Sequence, residues 1–439
     1  MNNFHNRIRA CLVVILLLIT SASSQQRSSQ REIGTGSWKG RTIEYVQGKV
    51  GIRLKVGVST SELTGVLEQF NGRVKKEFNH RGWGWVELPD SIDVMSVIEI
   101  LRNSSIVEMA EPSALGYIDV QPNDPGLANY QWALNNTGQI PPGGTIDADI
   151  DATEAWDLTT GTTDVIVAIL DTGIPMQNGL LSHPDLGNLN RIVLGQDFAD
   201  PPGQPEYSEG VRDRRGHGTH VAGIIGAETN NAEGIAGIAW NSGLLIIQLF
   251  PSDGSGAEPS AFYDAVQYAV DFANFHNKRM VINISGSWDW DWQDLHDAVQ
   301  YADSHGVVIV ASAGNDGNTA DPSVRYPAGL SALYENVVAV SATDPNDAFS
   351  SYSNEGLQVS ISAPGGFGGY FDGNVYRWNG SSNLGKNIYS TLPNYIFGFQ
   401  TQPFPGYSYT SDAPLSYGHL SGTSMAAPHV AGVVGLMLS

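Results

Sequence analysis

Two apolar, β-branched runs, "DVIVAIL" at residues 164–170 and "GVVIVASA" at 306–313, leave this chain few folds to adopt. Neither alternates polar with apolar residues, so each must be covered on both faces, as buried parallel strands are. Between them lie two amphipathic stretches, "PSAFYDAVQYAVDFANFH" and "DWQDLHDAVQYADSHG", which read as helices. This alternation, from Asp147 onward, argues an α/β domain with a mostly parallel sheet and helices on both faces.

The chain ends on "LSGTSMAAPHVAGVVGLMLS". Ser and Thr suit N-cap positions and Pro428 suits a first turn, so a helix is expected to open around Ser424. The run after Pro428 is apolar nearly all round, which predicts a buried helix. Gly432 and Gly435 weaken a helix unless another backbone packs close by. A helix start offers unpaired N–H groups and a positive dipole end, which suit a developing oxyanion. Alone, Ser424 is equally a cap; a nucleophile needs a base and an orienting acid elsewhere in the chain.

The other end has a different character. "MNNFHNRIRACLVVILLLITSASSQQ" has basic Arg7 and Arg9, a short apolar stretch from Cys11 to Ile19, and small residues at Ala22 and Ser24. It reads as a secretory signal over 1–24, too short in its apolar part to span a bilayer. Cys11 is the only cysteine, so a secreted mature chain has no disulfide and must rely on a large core or bound ions. Residues 25–42 read as a flexible polar segment. Residues 43–115 have the order β-α-β-β-α-β of a ferredoxin-like unit: the strand "KVGIRLKV", the capped helix "STSELTGVLEQFNG", the hairpin "RVKKEFNHRGWGWVELP", the helix "SIDVMSVIEILRNSS" and the strand "IVEMAEP". Residues 116–146, rich in Pro, Gly, Asn and Asp, form a linker and the start of the domain running from 147 to 439. Residues 365–418, rich in Gly and aromatics, read as surface loops.

Charge follows the same division. Residues 25–115 carry 12 Lys+Arg against 11 Asp+Glu, whereas residues 116–439 carry 9 against 34. So acidic a domain excludes nucleic acid or an anionic membrane as a partner of its general field.

Three positions combine with Ser424. Asp171 closes the first buried run, at the carboxyl edge of the sheet where α/β sites form. In "DRRGHGTHVAGIIGA", His217 and His220 are three apart with Gly and Thr between them, which fails the spacing of a zinc helix; His220 reads as a satisfied structural histidine. Asn315, after the second buried run, is either a turn residue or an amide aimed at an oxyanion. The order Asp171, His217, Ser424 is one of the chain orders of Ser-His-Asp sites, while "GTSMA" around Ser424 departs from the G-x-S-x-G elbow of lipases.

"AILDTGI", "GHGTHVAGIIGA", "ASAGN" and "SGTSMAAPHVAG", in that order, resemble the signatures of the subtilisin-like serine proteases. The resemblance covers about residues 120–439, and residues 43–112 are similar in pattern to the family's inhibitory prosegment. It implies a three-layer subtilisin-like fold preceded by the small α+β prodomain, and a secreted, self-processing serine endopeptidase acting on polypeptides. By this resemblance Asp171 orients His217, His217 is the general base, Ser424 the nucleophile and Asn315 an oxyanion donor. The substrate strand would lie against Ser285, Gly286 and Ser287 on one side and Ser312, Ala313 and Gly314 on the other. The first segment departs from the family pattern by a serine for a common glycine and by Trp288, and Arg325 falls near the expected pocket floor, where it either reads acidic side chains or turns outward. A structural calcium site is implied at Asp185 and Asn231 with the carbonyls of Thr229, Glu233 and Ile235. No organic cofactor is expected, nor stable membrane insertion once the signal is removed. The expected inhibitor is the chain's own prosegment, cut between about Ala114 and Asp124, and the mature enzyme is expected to be a monomer. The family continues with helical structure beyond the nucleophile helix, so a chain stopping at Ser439 is expected to be truncated. The alternative is a pseudo-protease that binds peptides without cutting them.

Overall fold

The computed structural model describes residues 33–39, 41–76, 82–114, 121–139, 143–187, 190–199, 210–251, 255–368, 370–371, 376–377, 385–393 and 416–439. The expected signal, and most of the 365–418 reading, lie outside them. The chain divides into two compact units, Met1–Ile118 and Asp119–Ser439.

The first unit runs β1 (Ile33–Trp38), β2 (Arg41–Leu54), α1 (Thr60–Leu67), β3 (Arg73–Lys76), β4 (Trp83–Glu87), α2 (Val94–Arg102) and β5 (Val107–Ala114). Ser59 caps α1 in a reciprocal box with Glu62, as the "STSE" signal predicts. The sheet places β2 between β4 and β5, with β3 outside β4, which is the ferredoxin-like arrangement. One expectation is corrected. The polar residues before 43 are not all flexible, because Ile33–Trp38 pairs antiparallel with Arg41–Val46 and lengthens the first strand into a hairpin. Backbone pairing with a neighbour, rather than an apolar pattern, makes this strand.

The second unit begins with two short helices, α3 (Pro125–Asn129) and α4 (Ala152–Trp156). It continues with β6 (Val165–Asp171), the small hairpin β7 (Met176–Gln177) and β8 (Leu180–Leu181), β9 (Ile192–Asp197), α5 (His217–Gly226) and β10 (Gly243–Gln248). Then follow α6 (Pro259–Phe275), β11 (Arg279–Ile284), α7 (Gln293–Ser304), β12 (Val308–Ser312), β13 (Val337–Thr343) and β14 (Ile361–Pro364). The pairs β15 (Tyr370–Phe371) with β16 (Tyr376–Arg377), and β17 (Ile388–Thr391) with β18 (Tyr417–Leu420), precede α8 (Thr423–Met437).

Seven parallel strands lie in the order β14-β13-β12-β11-β6-β10-β9. Helices α5 and α8 contribute to the core on one face, α6 and α7 to that on the other. From β6 the chain passes to the edge strand β9, returns to β10 beside β6, then crosses to β11 and builds the other way. The order therefore reverses between β6 and β11, where the carboxyl ends of parallel strands open a crevice.

Helix α8 is buried as its apolar run predicts, but two details differ. Pro428 is the sixth residue of the helix, not a member of its first turn. Gly432 and Gly435 make room for side chains rather than backbone. A Cβ at Gly432 would stand 2.8 Å from Cβ of Ile238, and one at Gly435 3.2 Å from Cγ2 of Val167.

Candidate active site

Asp171 is the last residue of β6 and is fully buried. Its Oδ1 accepts the backbone N–H of Thr172 at 2.7 Å and pairs with Nδ1 of His217 at 2.7 Å. His217 opens α5, with its side chain 31% exposed. Desolvation pulls the imidazole pKa down, but the charge and hydrogen bond of Asp171 and the charge of Asp213 outweigh it, so the net shift is upward. A ring held through Nδ1 offers Nε2 as its basic nitrogen.

Ser424 is the second residue of α8. Its Oγ donates to the carbonyl of Ser285 at 3.1 Å, and the Ser285 hydroxyl donates back to the carbonyl of Ser424 at 2.8 Å. The second bond explains the position of Pro428. Proline has no N–H for the carbonyl four residues earlier, which is that of Ser424. Ser285 supplies the missing donor, and its Oγ is held in turn by Nδ2 of Asn283 at 3.0 Å.

Asn315 follows β12. Its Oδ1 accepts the N–H of Thr423 at 2.8 Å and the Thr423 hydroxyl at 3.0 Å. An N–H donor fixes which end of the amide is oxygen, so Nδ2 is the end left to donate elsewhere. The adjoining N–H of Ser424 belongs to the first turn, whose amides have no carbonyl a turn earlier. Thus Asp171, Ser285 and Asn315 stand at the carboxyl ends of β6, β11 and β12, with His217 and Ser424 at two helix starts.

The residue that sequence reasoning missed is Asp213. It is fully buried and accepts the N–H groups of Arg215, Gly216 and Thr219 and the hydroxyls of Thr172 and Thr219. It therefore ties the end of β6 to the start of α5, the two segments that carry Asp171 and His217. Burial pushes its pKa up against these bonds. His220, by contrast, is structural. Its Nε2 bridges the carbonyls of Ile388 and Gly418 at 3.1 and 3.2 Å, and burial drives its pKa down to about 3, so it stays neutral.

The two expected substrate edges follow adjacent strands. Ser285 is buried and Ser287 exposed, while a Cβ at Gly286 would collide with the Phe250 ring. Trp288 does not enter the crevice: its ring packs on Phe250 and Phe262 and its indole N–H donates to the carbonyl of Ala257 at 2.8 Å.

The expected calcium residues come together in part. Asp185 is fully buried, with Oδ1 accepting from Nδ2 of Asn231 at 2.9 Å and Oδ2 from the N–H of Ile235 at 2.8 Å. Asp124, from the segment read as linker, reaches the same loop and accepts the N–H groups of Asn230 and Asn231 at 2.7 and 3.2 Å. Burial raises the pKa of both carboxyls, that of Asp185 to about 6. Among the described residues no hydrogen bond ends on the carbonyls of Thr229, Glu233 or Ile235. Two buried carboxylates beside carbonyls without a protein donor fit a hard cation, while Asn231 Oδ1, the expected amide ligand, accepts the N–H of Glu233 at 2.8 Å. Among the described residues no three acidic, histidine or cysteine side chains are grouped so as to hold a metal ion, so such a site depends on backbone and amide oxygens.

Residues 162–439 match the model of the subtilase family, and residues 37–113 match the fervidolysin N-terminal prodomain. The thermophilic serine proteinase of Bacillus sp. (strain AK1) is 34% identical over 90% of this chain and 79% of its own length. Thermitase of Thermoactinomyces vulgaris is 36% identical over 72% of this chain and 85% of its own length. A solved structure of proteases from Pseudoalteromonas arctica PAMC 21717 superposes with a TM-score of 0.50 and 28% identity, covering 72% of this chain and 86% of that one.

Proposed function

Because the chain belongs to the subtilase family and is a subtilisin-like serine endopeptidase with an N-terminal prodomain, we propose that Asp171, His217 and Ser424 are its catalytic triad and Asn315 its oxyanion donor. The observation that carries this reading is the 2.7 Å bond from Asp171 Oδ1 to His217 Nδ1. It commits Nδ1 to carry the proton and leaves Nε2 as base.

Ser424 Oγ attacks the carbonyl carbon of a peptide while His217 Nε2 takes its proton, after rotation about χ1 frees the hydroxyl from Ser285. The oxyanion is received by Asn315 Nδ2 and the N–H of Ser424. The imidazolium, stabilised by Asp171, then protonates the leaving amine and an acyl-enzyme remains. Water, deprotonated by the same Nε2, releases the acid and regenerates Ser424. The substrate lies as a strand between Ser285–Ser287 and Ser312–Gly314.

Three further assignments belong to this reading. Residues 43–115 act as an intramolecular inhibitor until they are cut away. Asp185, Asn231 and the carbonyls of Thr229, Glu233 and Ile235, joined by Asp124, would hold calcium, which would cross-link the start of the domain to the loop after α5. Secretion is assigned here from the signal-like pattern of the first 24 residues; among relatives an extracellular protease of Xanthomonas campestris is 30% identical over 80% of this chain and 55% of its own length. Among the described residues no helix is long and apolar enough to cross a membrane. The test of the triad is labelling with a fluorophosphonate. The wild type is expected to be labelled on Ser424 and Ser424→Ala not at all; a folded, prodomain-free wild type that stays unlabelled would overturn the assignment.

A further inference from the structure

Six consecutive residues beyond the first substrate edge, Asp289–Asp294, are all exposed, and none of them belongs to the catalytic centre. They read "DWDWQD", two indoles among three carboxylates. Trp290 is 72% exposed and Trp292 49%, although burying its large apolar surface is what tryptophan usually contributes to a fold. Trp288, two residues earlier, does turn inward, onto Phe250 and Phe262. One indole therefore anchors the segment while the next two are shown to solvent, and exposed apolar surface of this size marks a contact site.

The segment is also held still. Trp288 exchanges backbone hydrogen bonds with Tyr326 at 2.8 and 3.0 Å. Asp289 Oδ1 lies 3.6 Å from Nε of Arg325, whose nearer partner is Asp316 at 3.0 Å, so this guanidinium is turned to the protein's own carboxylates. Asp291 pairs with Nε2 of His296 at 2.7 Å, and Nδ1 of His296 meets the hydroxyl of Tyr334 at 2.8 Å. Trp292 occupies the N-cap position of α7. Exposed rings on a segment fixed at both ends lose little freedom when a partner arrives.

Charge says which partner fits. No Lys or Arg stands between Arg279 and Arg325, while Asp289, Asp291 and Asp294 flank the two indoles and exposed Asp297 follows on α7. Among the described residues these carboxylates are not grouped so as to hold a metal ion, so their charge suits cations spread along a chain. An indole face attracts an ammonium or guanidinium, and a neighbouring carboxylate complements it. The excess of acids over residues 116–439 draws such a chain from a distance. Trp290 stands three residues past Ser287, within about 11 Å of backbone, so a polypeptide lying along that edge passes close to it. We propose that Asp289–Asp294 is an exosite, outside the crevice, for a Lys- or Arg-rich stretch of the polypeptide being cut. This rests on the reading of the chain as a protease whose substrate lies along Ser285–Ser287.

Peptides with one uncharged cleavable core test this. Each carries a tail of Lys, Ser or Glu residues, joined through a flexible Gly-Ser spacer to one end of the core or the other. KM and kcat are measured at one low ionic strength for wild type, Trp290→Ala with Trp292→Ala, and Trp290→Phe with Trp292→Phe, each first shown by circular dichroism to be folded. Ratios between tails are read within each protein, so any change in handling of the core cancels. From at least one end, the Lys tail is expected to lower the wild-type KM about tenfold relative to the Ser tail, the scale of two exposed cation–π contacts. kcat should stay the same, because a remote site binds ground and transition states alike. The alanine pair is expected to lose most of this ratio and the phenylalanine pair, which keeps two rings, to retain more of it. Equal KM for Lys and Ser tails in the wild type would overturn the proposal. So would a Lys advantage that survives intact in the folded alanine pair, since the general acidic field would then suffice. If the alanine pair leaves the ratio untouched but changes the rate at which residues 43–115 are lost, followed by intact mass, the indoles serve the prodomain and the proposal fails. Failure of the protease reading looks different: no peptide is cut by the wild type and a fluorophosphonate leaves Ser424 unlabelled.

Discussion

Ser285 and Ser424 exchange hydrogen bonds across the crevice, each hydroxyl donating to the other's carbonyl, at 2.8 Å from Ser285 and 3.1 Å from Ser424. The first bond replaces the amide that Pro428 lacks. Ser285→Ala is therefore expected to leave a buried carbonyl unsatisfied, at about 1–3 kcal/mol. Pro428→Ala restores an N–H one turn along and should rescue much of the loss. Urea unfolding in a Ser424→Ala background, which retains the Ser424 carbonyl and cannot autolyse, measures the cycle. A coupling of about 1 kcal/mol is expected between the two sites; additive effects would show that Ser285 does not stand in for the missing amide.

This pair also marks the limit of what the sequence discloses. "VIVAIL" announces a strand covered on both faces, and β6 is buried along its whole length. Asp171, His217 and Ser424 sit in recognisable motifs because their neighbours are constrained as tightly as they are. Asp213 sits in "GVRDRRGHG", which reads as a charged surface loop until the fold turns five donors onto it. Asp124 is illegible for a related reason: its partners Asn230 and Asn231 lie more than a hundred residues away. β1 carries no periodic signal, since its partner strand supplies its order.

Asp213 should reveal itself through pH. Its negative charge helps to hold the His217 pKa up, together with Asp171 and against desolvation and Arg215; His220 behind it is neutral. Asp213→Asn removes that charge, lowers the His217 pKa and so makes the free base available at lower pH. The acid limb of kcat/KM against pH is expected to move to lower pH. An amide also cannot accept all five donors, so stability should fall by about 3 kcal/mol, the scale for a broken buried network. A stability loss with the acid limb unmoved would mean that Asp213 is only scaffolding.

Calcium should couple to the ionisation of Asp185. Its folded pKa, about 6, lies above the ordinary carboxyl value. Without metal the native state therefore holds a proton more tightly than the unfolded chain, and this contribution to stability is lost as pH rises from about 4 to 6. Calcium needs the ionised carboxylate, so its stabilising effect grows over the same window. Buried His183, His419 and His429 have pKa values lowered by desolvation to about 4 and weaken the fold as pH falls below about 6.5. Comparing melting with calcium and with chelator at each pH cancels that common term. The gap is expected to widen from roughly pH 4.5 to 7, across the carboxyl range, and to shrink sharply in Asp185→Asn. A gap independent of both pH and Asp185 would place any calcium elsewhere.

The prodomain supplies the last prediction, because it reports on the triad without an added substrate. If Ser424 is the nucleophile and residues 43–115 are a temporary inhibitor, then purified wild type incubated with calcium should lose its first segment over time. Ser424→Ala should stay at full mass while keeping the same circular dichroism, since the change removes only one oxygen and the bond it donates to Ser285. The new N-terminus is expected between Ala114 and Asp124. A cut beyond Asp124 would separate that carboxylate from Asn230 and Asn231, and the shortened enzyme would then respond less to calcium. Processing of Ser424→Ala at the wild-type rate would assign the cleavage to another protease and remove this support for the triad.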